Sequence, residues 1–409
     1  MSIHVSLDVI ALIAAIVGLG VAAQFLAAKY RVPSVLFLIL AGVAIGPEGL
    51  GLITSGTFGD SLSTIVGVSV AIIVFEGTFH LEYRAIREAS KAVDRMITIG
   101  AGIAFVGTAL TVRLLLGASW DIAFLIGALL IATGPTVVAP ILAVVPVREE
   151  VATTLEVEGI VNDVTAAVLA IVLFKAMTAR DLAPRGYVWL FVQRLALGVL
   201  VGLVVAGVVW YLLTEVELPA EAAPQTARLL ALAGAVIAFA AADSVFSEAG
   251  IVAAATAGFV LGNLDLPHQK GILRFKRDIT SLVLSFVFIT LAALLEFEEL
   301  FALGITGLVV VTVLMVVIRP LAVFVSTAGA GFTTNERLFM SFVGPRGIIP
   351  ASVATLFAVR LQTEAPPTDP AGANILLGTV FLAILVTVVI EAGFARRIAG
   401  ILGVTMSGQ

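Results

Sequence analysis

Residues 129–142 read LLIATGPTVVAPIL, an apolar run with Gly134 and Pro135 at its centre. Proline lacks the N–H that a helix interior needs and clashes with the preceding turn, and glycine is a weak helix former, so the pair predicts a helix broken midway. A second run, SFVGPRGIIPASVA at residues 341–354, holds Gly344, Pro345, Gly347 and Pro350 and predicts the same interruption. One such kink can be incidental, since neighbouring helices satisfy the freed backbone groups. Two of them at matching places in a chain demand a common explanation.

The surrounding composition sets the solvent. Of 409 residues, 60% are hydrophobic and 12% charged, against roughly 25% charged in a soluble domain. Apolar runs of about 20 residues, the length that crosses about 30 Å of hydrocarbon, recur along the chain with short polar joints. This predicts an all-α polytopic membrane protein of about thirteen spans, with no stretch left for a soluble regulatory domain. The run from Leu7 to Ala28 is too long for a signal-peptide core and lacks a basic leader, so it reads as a retained span. Cysteine is absent, which excludes disulfides, thiolate metal sites and cysteine nucleophiles, and His4, His80 and His268 offer no multi-histidine metal motif. No nucleic-acid partner is expected; membrane lipid is.

With span seven, about 187–213, as a linker, the broken spans become the fifth members of two six-helix halves, residues 7–178 and 224–403. They cross in opposite directions, as inverted repeats require, and paired broken helices point to a transporter's midplane site. Placing the N-terminus outside puts Lys29, Arg95, Arg148, Arg337, Arg396 and Arg397 in cytoplasmic loops and leaves chiefly Arg180, Arg185 and Arg360 opposite. By the positive-inside rule the C-terminus is cytoplasmic, with the protein in the cell membrane.

Span six carries EVEGIVNDVTAAVLA, residues 156–170. Counted from Glu149, Asp163 lies about 14 residues in, roughly 20 Å along the helix and near the bilayer centre. Glu158 and Asn162, four apart, share a face, while Asp163 is turned about 100° further round. An acid at that depth costs several kcal/mol unless paired, protonated or facing water, and is a functional candidate by default. Partners are available in Arg319, within VVIRPLAVF, and Arg346, within VGPRGIIP. A structural ion pair suits one of the two acids, but does not account for both acids, the amide and the matched breaks.

Other charges fall within apolar sequence. Asp243 and Glu248, in DSVFSEAG at residues 243–250, fit an entrance funnel or a structural role equally. Glu76 and Lys175 lie near span ends, where snorkelling or local pairing suffices. Glu391, deeper in span thirteen, receives no role from the sequence.

Taken together, these pieces resemble the cation/proton antiporter superfamily, in particular the sodium/proton exchanger branch with an Asn-Asp pair on the sixth helix (NhaP/NHE-like). VPSVLFLILAGVAIGPEGLGLI (32–53) is similar to the family's second span and FEGTFHLEYRAIR (75–87) to the end of its third. TGPT (133–136) resembles the broken fifth helix, EGIVND (158–163) the ion-binding sixth, IRP (318–320) the eleventh and GPRGIIP (344–350) the broken twelfth. The resemblance covers nearly the whole chain, and the order and spacing of the pieces make it specific.

The resemblance implies an NhaA-like fold with crossed discontinuous helices 5 and 12, a homodimer, and no cofactor beyond the transported Na⁺ and H⁺. It makes Asp163 the carboxylate that alternately holds cation or proton, Asn162 its polar neighbour, and Thr133 a ligand at the break, with Na⁺ held at Asp163 and Thr133. Glu158, counted among the ion-binding residues, becomes the acid that bridges to Arg319, and Arg346 the charge that offsets the carboxylates and facing helix ends. Asn162 in place of a second carboxylate implies electroneutral exchange. Two positions depart from the pattern: Gly134 stands where many relatives have aspartate, and Gly159 where many have serine.

Independently of the family, Na⁺ is a hard cation held by oxygens, and Asp163, Thr133, carbonyls freed at a break and water supply them. One carboxylate that binds Na⁺ or H⁺, but not both, exchanges them when exposed alternately to each side. The alternatives are K⁺/H⁺ exchange at the same site and a Na⁺-coupled symporter of an organic solute. An intramembrane enzyme would need a nucleophile, dyad or metal site, and a receptor or structural protein leaves the matched breaks unexplained.

Overall fold

The computed structural model describes residues 9–30, 34–53, 61–79, 83, 91–178, 184–217, 219, 221–246, 249–293, 303–363 and 369–405. Glu248 and Arg180 lie outside the described residues, and for Lys175, Arg185 and Arg360 only the backbone is described. Among the described residues all regular structure is helical, with no strand. The order is α1 (Val9–Tyr30), α2 (Ser34–Ile45), α3 (Ser61–Phe79), α4 (Lys91–Leu116), α5 (Trp120–Leu129), α6 (Pro135–Val144), α7 (Glu149–Thr178) and α8 (Pro184–Thr214). It continues with α9 (Ala223–Asp243), α10 (Ala249–Gly262), α11 (Gln269–Ala293), α12 (Gly304–Ser326), α13 (Thr334–Phe342), α14 (Ile348–Thr363) and α15 (Ala371–Leu402).

Seven of these, α1, α4, α7, α8, α9, α12 and α15, hold segments long and apolar enough to cross a membrane. With a mean hydropathy of +1.15 for the chain, they make this a multi-pass membrane protein. The others divide by what the sequence does locally. Gly117, at φ 65°, closes α4 in the left-handed conformation that glycine adopts without penalty. Two residues on, Ser119 caps α5 by accepting from Ile122 N–H at 3.3 Å. α13 starts in a capping box: Glu336 Oε2 accepts from Thr333 N–H at 2.8 Å, and Thr333 Oγ1 accepts from Glu336 N–H at 3.2 Å. Glu336 also pairs with Arg148 at 3.2 Å, tying the start of α13 to the residue before α7.

α4, α12 and α15 each contain a π-helical turn, at Met96–Gly100, Leu314–Ile318 and Val388–Ala392. The turn in α12 has a sequence cause. Pro320 donates no hydrogen bond, and Arg319 N–H reaches the Leu314 carbonyl five residues back. The inserted residue shifts the helix phase by about 100°, which changes the side Arg319 faces.

The chain divides into two compact units. One comprises residues 60–88 and 179–284. Its helices approach through small residues: α9 buries Ala227, Ala231, Ala235, Ala238 and Ala242, and a Cβ on Gly202 of α8 would lie 2.6 Å from the Ala253 carbonyl of α10. That is how helices associate in lipid, where close packing rather than water exclusion holds them together.

The other unit comprises residues 1–59, 89–178 and 285–409 and contains both breaks. Of its long apolar helices the most enclosed is α7, whose apolar window is 72% buried against 22% for α8 in the first unit. Thr154, Glu158, Asn162 and Asp163 of α7 are buried within the protein. Ala166 of α7 packs with Ile131 and Ala132 at the first break and with Ala101 of α4. Further along, Phe174 stacks on Phe357 of α14 with centroids 4.3 Å apart.

Candidate functional site

At the first break α5 runs out at Leu129, residues 130–134 leave the α-helix, and Pro135 opens α6, where its missing N–H is no loss. A helix end leaves its last carbonyls without donors and a helix start its first N–H groups without acceptors. The second break, residues 343–347 between α13 and α14, supplies partners for both. Arg346 Nη1 donates to the Ala132 carbonyl at 2.9 Å and toward that of Ile131 at 3.4 Å. Gly134 N–H donates to the Pro345 carbonyl at 2.7 Å. The two interrupted segments are thus bonded directly, backbone to backbone.

That contact explains Gly134. A Cβ there would lie 2.5 Å from Gly347 Cα and 2.8 Å from its nitrogen, both backbone atoms. The aspartate that the resemblance would place at this position has no room against Gly347.

Beside the breaks, Glu158 on α7 and Arg319 on α12 form a buried two-point pair: Nη1 donates to Oε1, and Nη2 to Oε2 at 2.9 Å. Arg319 Nη2 also donates to the Val343 carbonyl at 2.9 Å, where α13 ends. The guanidinium therefore joins α7 to the second break. Asn162, one turn along the same face, points Nδ2 at Glu158 Oε1 from 3.5 Å, the outer limit of a hydrogen bond.

Asp163 is only 4% exposed. Among the described residues no hydrogen bond or ion pair joins it to Arg346. Asp163 Oδ1 and Asn162 Oδ1 are, among the described residues, the only carboxylate or amide oxygens fully enclosed without a hydrogen-bond partner. Thr133 Oγ1, at the first break, is likewise enclosed and unpartnered. Buried oxygens of this kind mark sites that take an ion, a water or a proton.

Thr133, Glu158, Asn162, Asp163, Arg319 and Arg346 all belong to one compact unit. Asp243 belongs to the other, partly buried at the end of α9. The structure also gives Glu391 a place that the sequence did not. Its Oε2 accepts from Gly344 N–H at 2.7 Å, in the second break. Thr387, unremarked in the sequence, accepts from Arg346 N–H at 3.1 Å. The signal for Glu391 was an acid within apolar sequence; nothing in its spacing named a backbone N–H on another helix as its partner.

Comparison with known proteins completes the picture. The family model described as "Sodium/hydrogen exchanger, transmembrane" matches residues 11–397. The chain is 28% identical over 405 residues to Na(+)/H(+) antiporter 1 of Methanocaldococcus jannaschii, covering 93% of this chain and 92% of that protein. It is 26% identical to K(+)/H(+) antiporter NhaP of Alkalimonas amylolytica, over 82% of this chain but 58% of that protein. Among solved structures, the sodium proton antiporter MjNhaP1 from Methanocaldococcus jannaschii at pH 8 superposes with a TM-score of 0.82 and 25% identity, covering 96% of this chain and 98% of that one.

Proposed function

The chain belongs to the sodium/hydrogen exchanger family, a family of transporters and not of enzymes; it exchanges Na⁺ for H⁺ across the membrane, and we propose that it does so by competition at Asp163. The observation that carries the proposal is the enclosed oxygen of Asp163 that has no hydrogen-bond partner among the described residues. A carboxylate so placed is stable when a cation or a proton completes it and unstable when empty. Transit between the two sides is therefore favoured for the loaded site, which suppresses leak.

Thr133 Oγ1 and the carbonyls freed at the first break are the further oxygens available to Na⁺. Arg346 already holds the Ala132 carbonyl, so the ligands come from Asp163, Thr133, the other carbonyls of the break and water. Glu158 is held by Arg319 and takes no part in exchange; it fixes α7 to the second break. With one titrating carboxylate at the site and no room for another at position 134, one proton replaces one cation and no net charge moves. K⁺/H⁺ exchange is the second reading, favoured by K(+)/H(+) antiporters of which this chain spans 58–62%.

The finer architecture is part of the same proposal. The bonded breaks support reading residues 7–178 and 224–403 as inverted six-helix halves joined by the helix 187–213, about thirteen spans in all. The basic loop residues support an outside N-terminus and a cytoplasmic C-terminus. A homodimer follows from the family resemblance. The test is cation-induced proton movement in proteoliposomes. Na⁺ and Li⁺ are expected to drive it and K⁺ to do so poorly; movement driven by K⁺ alone would replace Na⁺ with K⁺ in this reading.

A further inference from the structure

Residues 344–346 of the second break run between α15 and the first break. In a non-helical, extended run, alternate N–H groups point the same way and the carbonyl between them points the other. Gly344 N–H and Arg346 N–H both meet α15, through Glu391 Oε2 at 2.7 Å and Thr387 Oγ1 at 3.1 Å. Pro345 C=O meets the first break, at Gly134 N–H. Thr387 and Glu391 stand four residues apart, one turn, and the π-helical turn of α15 contains Glu391. α15 therefore grips the break at two points, and the break presents Arg346 to the first interrupted helix.

A grip alone does not require an acid. Glutamine has the same length and an oxygen that accepts from an N–H equally well. Glutamate adds a charge, in a position only 3% exposed, where a charge is expensive unless it is compensated. The Glu391 carboxylate is bound at Gly344, two residues from Arg346 and next to Val343, whose carbonyl holds Arg319. Glu158 offsets Arg319 directly. Of the three acids around Arg346, namely Glu391, Glu158 and Asp163, Glu158 is already held by Arg319, and only Glu391 is bound to the break itself.

We propose that Glu391 is a positioning residue for transport: its charge occupies Arg346 from the α15 side, so that Arg346 does not close an ion pair with Asp163 and the carboxylate stays available to Na⁺. With every group ionised, Glu158, Asp163 and Glu391 against Arg319 and Arg346 are three negative charges against two positive, which leaves one negative charge. A single Na⁺ or H⁺ at Asp163 brings the cluster to zero. Without the charge on Glu391 the empty cluster is already neutral, and loading a cation makes it positive. Arg346 and the cation then compete for Asp163. The inference rests on the assignment of exchange to Asp163 and adds to it the group that keeps Asp163 free.

The test is Glu391→Gln, which keeps the hydrogen bond to Gly344 and removes the charge. Wild type and variant are compared by thermal unfolding in detergent, by the Na⁺ concentration that half-maximally shifts that unfolding, and by the KM and Vmax for Na⁺ in proteoliposomes. The variant is expected to unfold near the wild-type temperature, to need about tenfold more Na⁺ in both affinity measurements, and to keep Vmax at saturating Na⁺; tenfold is about 1.4 kcal/mol. An unchanged Na⁺ requirement, a lowered Vmax at unchanged KM, or a variant that does not fold would each overturn the proposal, the last by making the charge a requirement of the fold. Wild-type protein that binds Na⁺ in the unfolding assay yet moves no protons would instead count against exchange at Asp163, while the binding comparison would still decide the role of Glu391.

Discussion

A carboxylate enclosed in hydrocarbon has three ways to exist: ion-paired, protonated or bound to a cation. The acids of α7 divide between them. Glu158 takes the first, with both oxygens on Arg319, while Asp163 keeps an enclosed oxygen without a hydrogen-bond partner among the described residues. Asp163→Asn removes the alternating charge at nearly constant volume and is expected to abolish Na⁺-driven proton movement in proteoliposomes while the protein still folds. Glu158→Gln and Arg319→Leu each leave one buried charge unpaired and are expected to lower stability by about 3–5 kcal/mol, whereas the double replacement should be much milder. Thermal unfolding of the four proteins measures this, and additive losses would contradict the pair. At this scale much was legible, because an acid in apolar sequence cannot be filler. Asp163, Glu158 and the two arginines could be picked out without a structure. Glu391 was visible for the same reason, but its partner is a backbone N–H at Gly344, and side-chain chemistry cannot name a backbone partner.

Among the elements, the two breaks carry the argument. Glycine and proline announced them in the sequence, and the structure bonds one to the other through Gly134 N–H and Pro345 C=O. What the sequence could not supply was the closeness of the contact. Gly134 read as an aspartate missing from a familiar pattern, whereas a Cβ there would stand 2.5 Å from Gly347 Cα. Gly134→Ala is therefore expected to destabilise the protein by about 1–3 kcal/mol, the usual penalty of overpacking, and to reduce exchange because it parts the two segments. A thermal-unfolding comparison checks the first effect and a proteoliposome assay the second; a variant as stable as wild type would contradict the contact. The π-helical turns were also unreadable. They are shifts of hydrogen-bond register within helices of ordinary apolar composition, and only the one before Pro320 has a residue that marks it.

For the whole molecule, hydropathy settled the membrane class, and the seven long apolar helices agree with it. Shorter elements such as α5, Trp120–Leu129, and α10, Ala249–Gly262, fall below the length that a hydropathy count needs. The chain has no cysteine, so one introduced by Ser407→Cys would report the side of the C-terminus. It is expected to escape a membrane-impermeant maleimide in intact cells and to react after permeabilisation; labelling of intact cells would reverse the orientation proposed from the basic loops. Exchange itself turns on whether proton and cation exclude one another at Asp163. If they do, each proton bound must leave before Na⁺ enters, and the apparent KM for Na⁺ follows the proton concentration once the site is mostly protonated. The most direct measurement is the Na⁺ dependence of exchange in proteoliposomes at a series of equal internal and external pH values. Competition predicts a KM that rises toward about tenfold per unit of acidification, with turnover restored by saturating Na⁺ wherever proton release on the far side is not limiting; a KM that does not change with pH would contradict it.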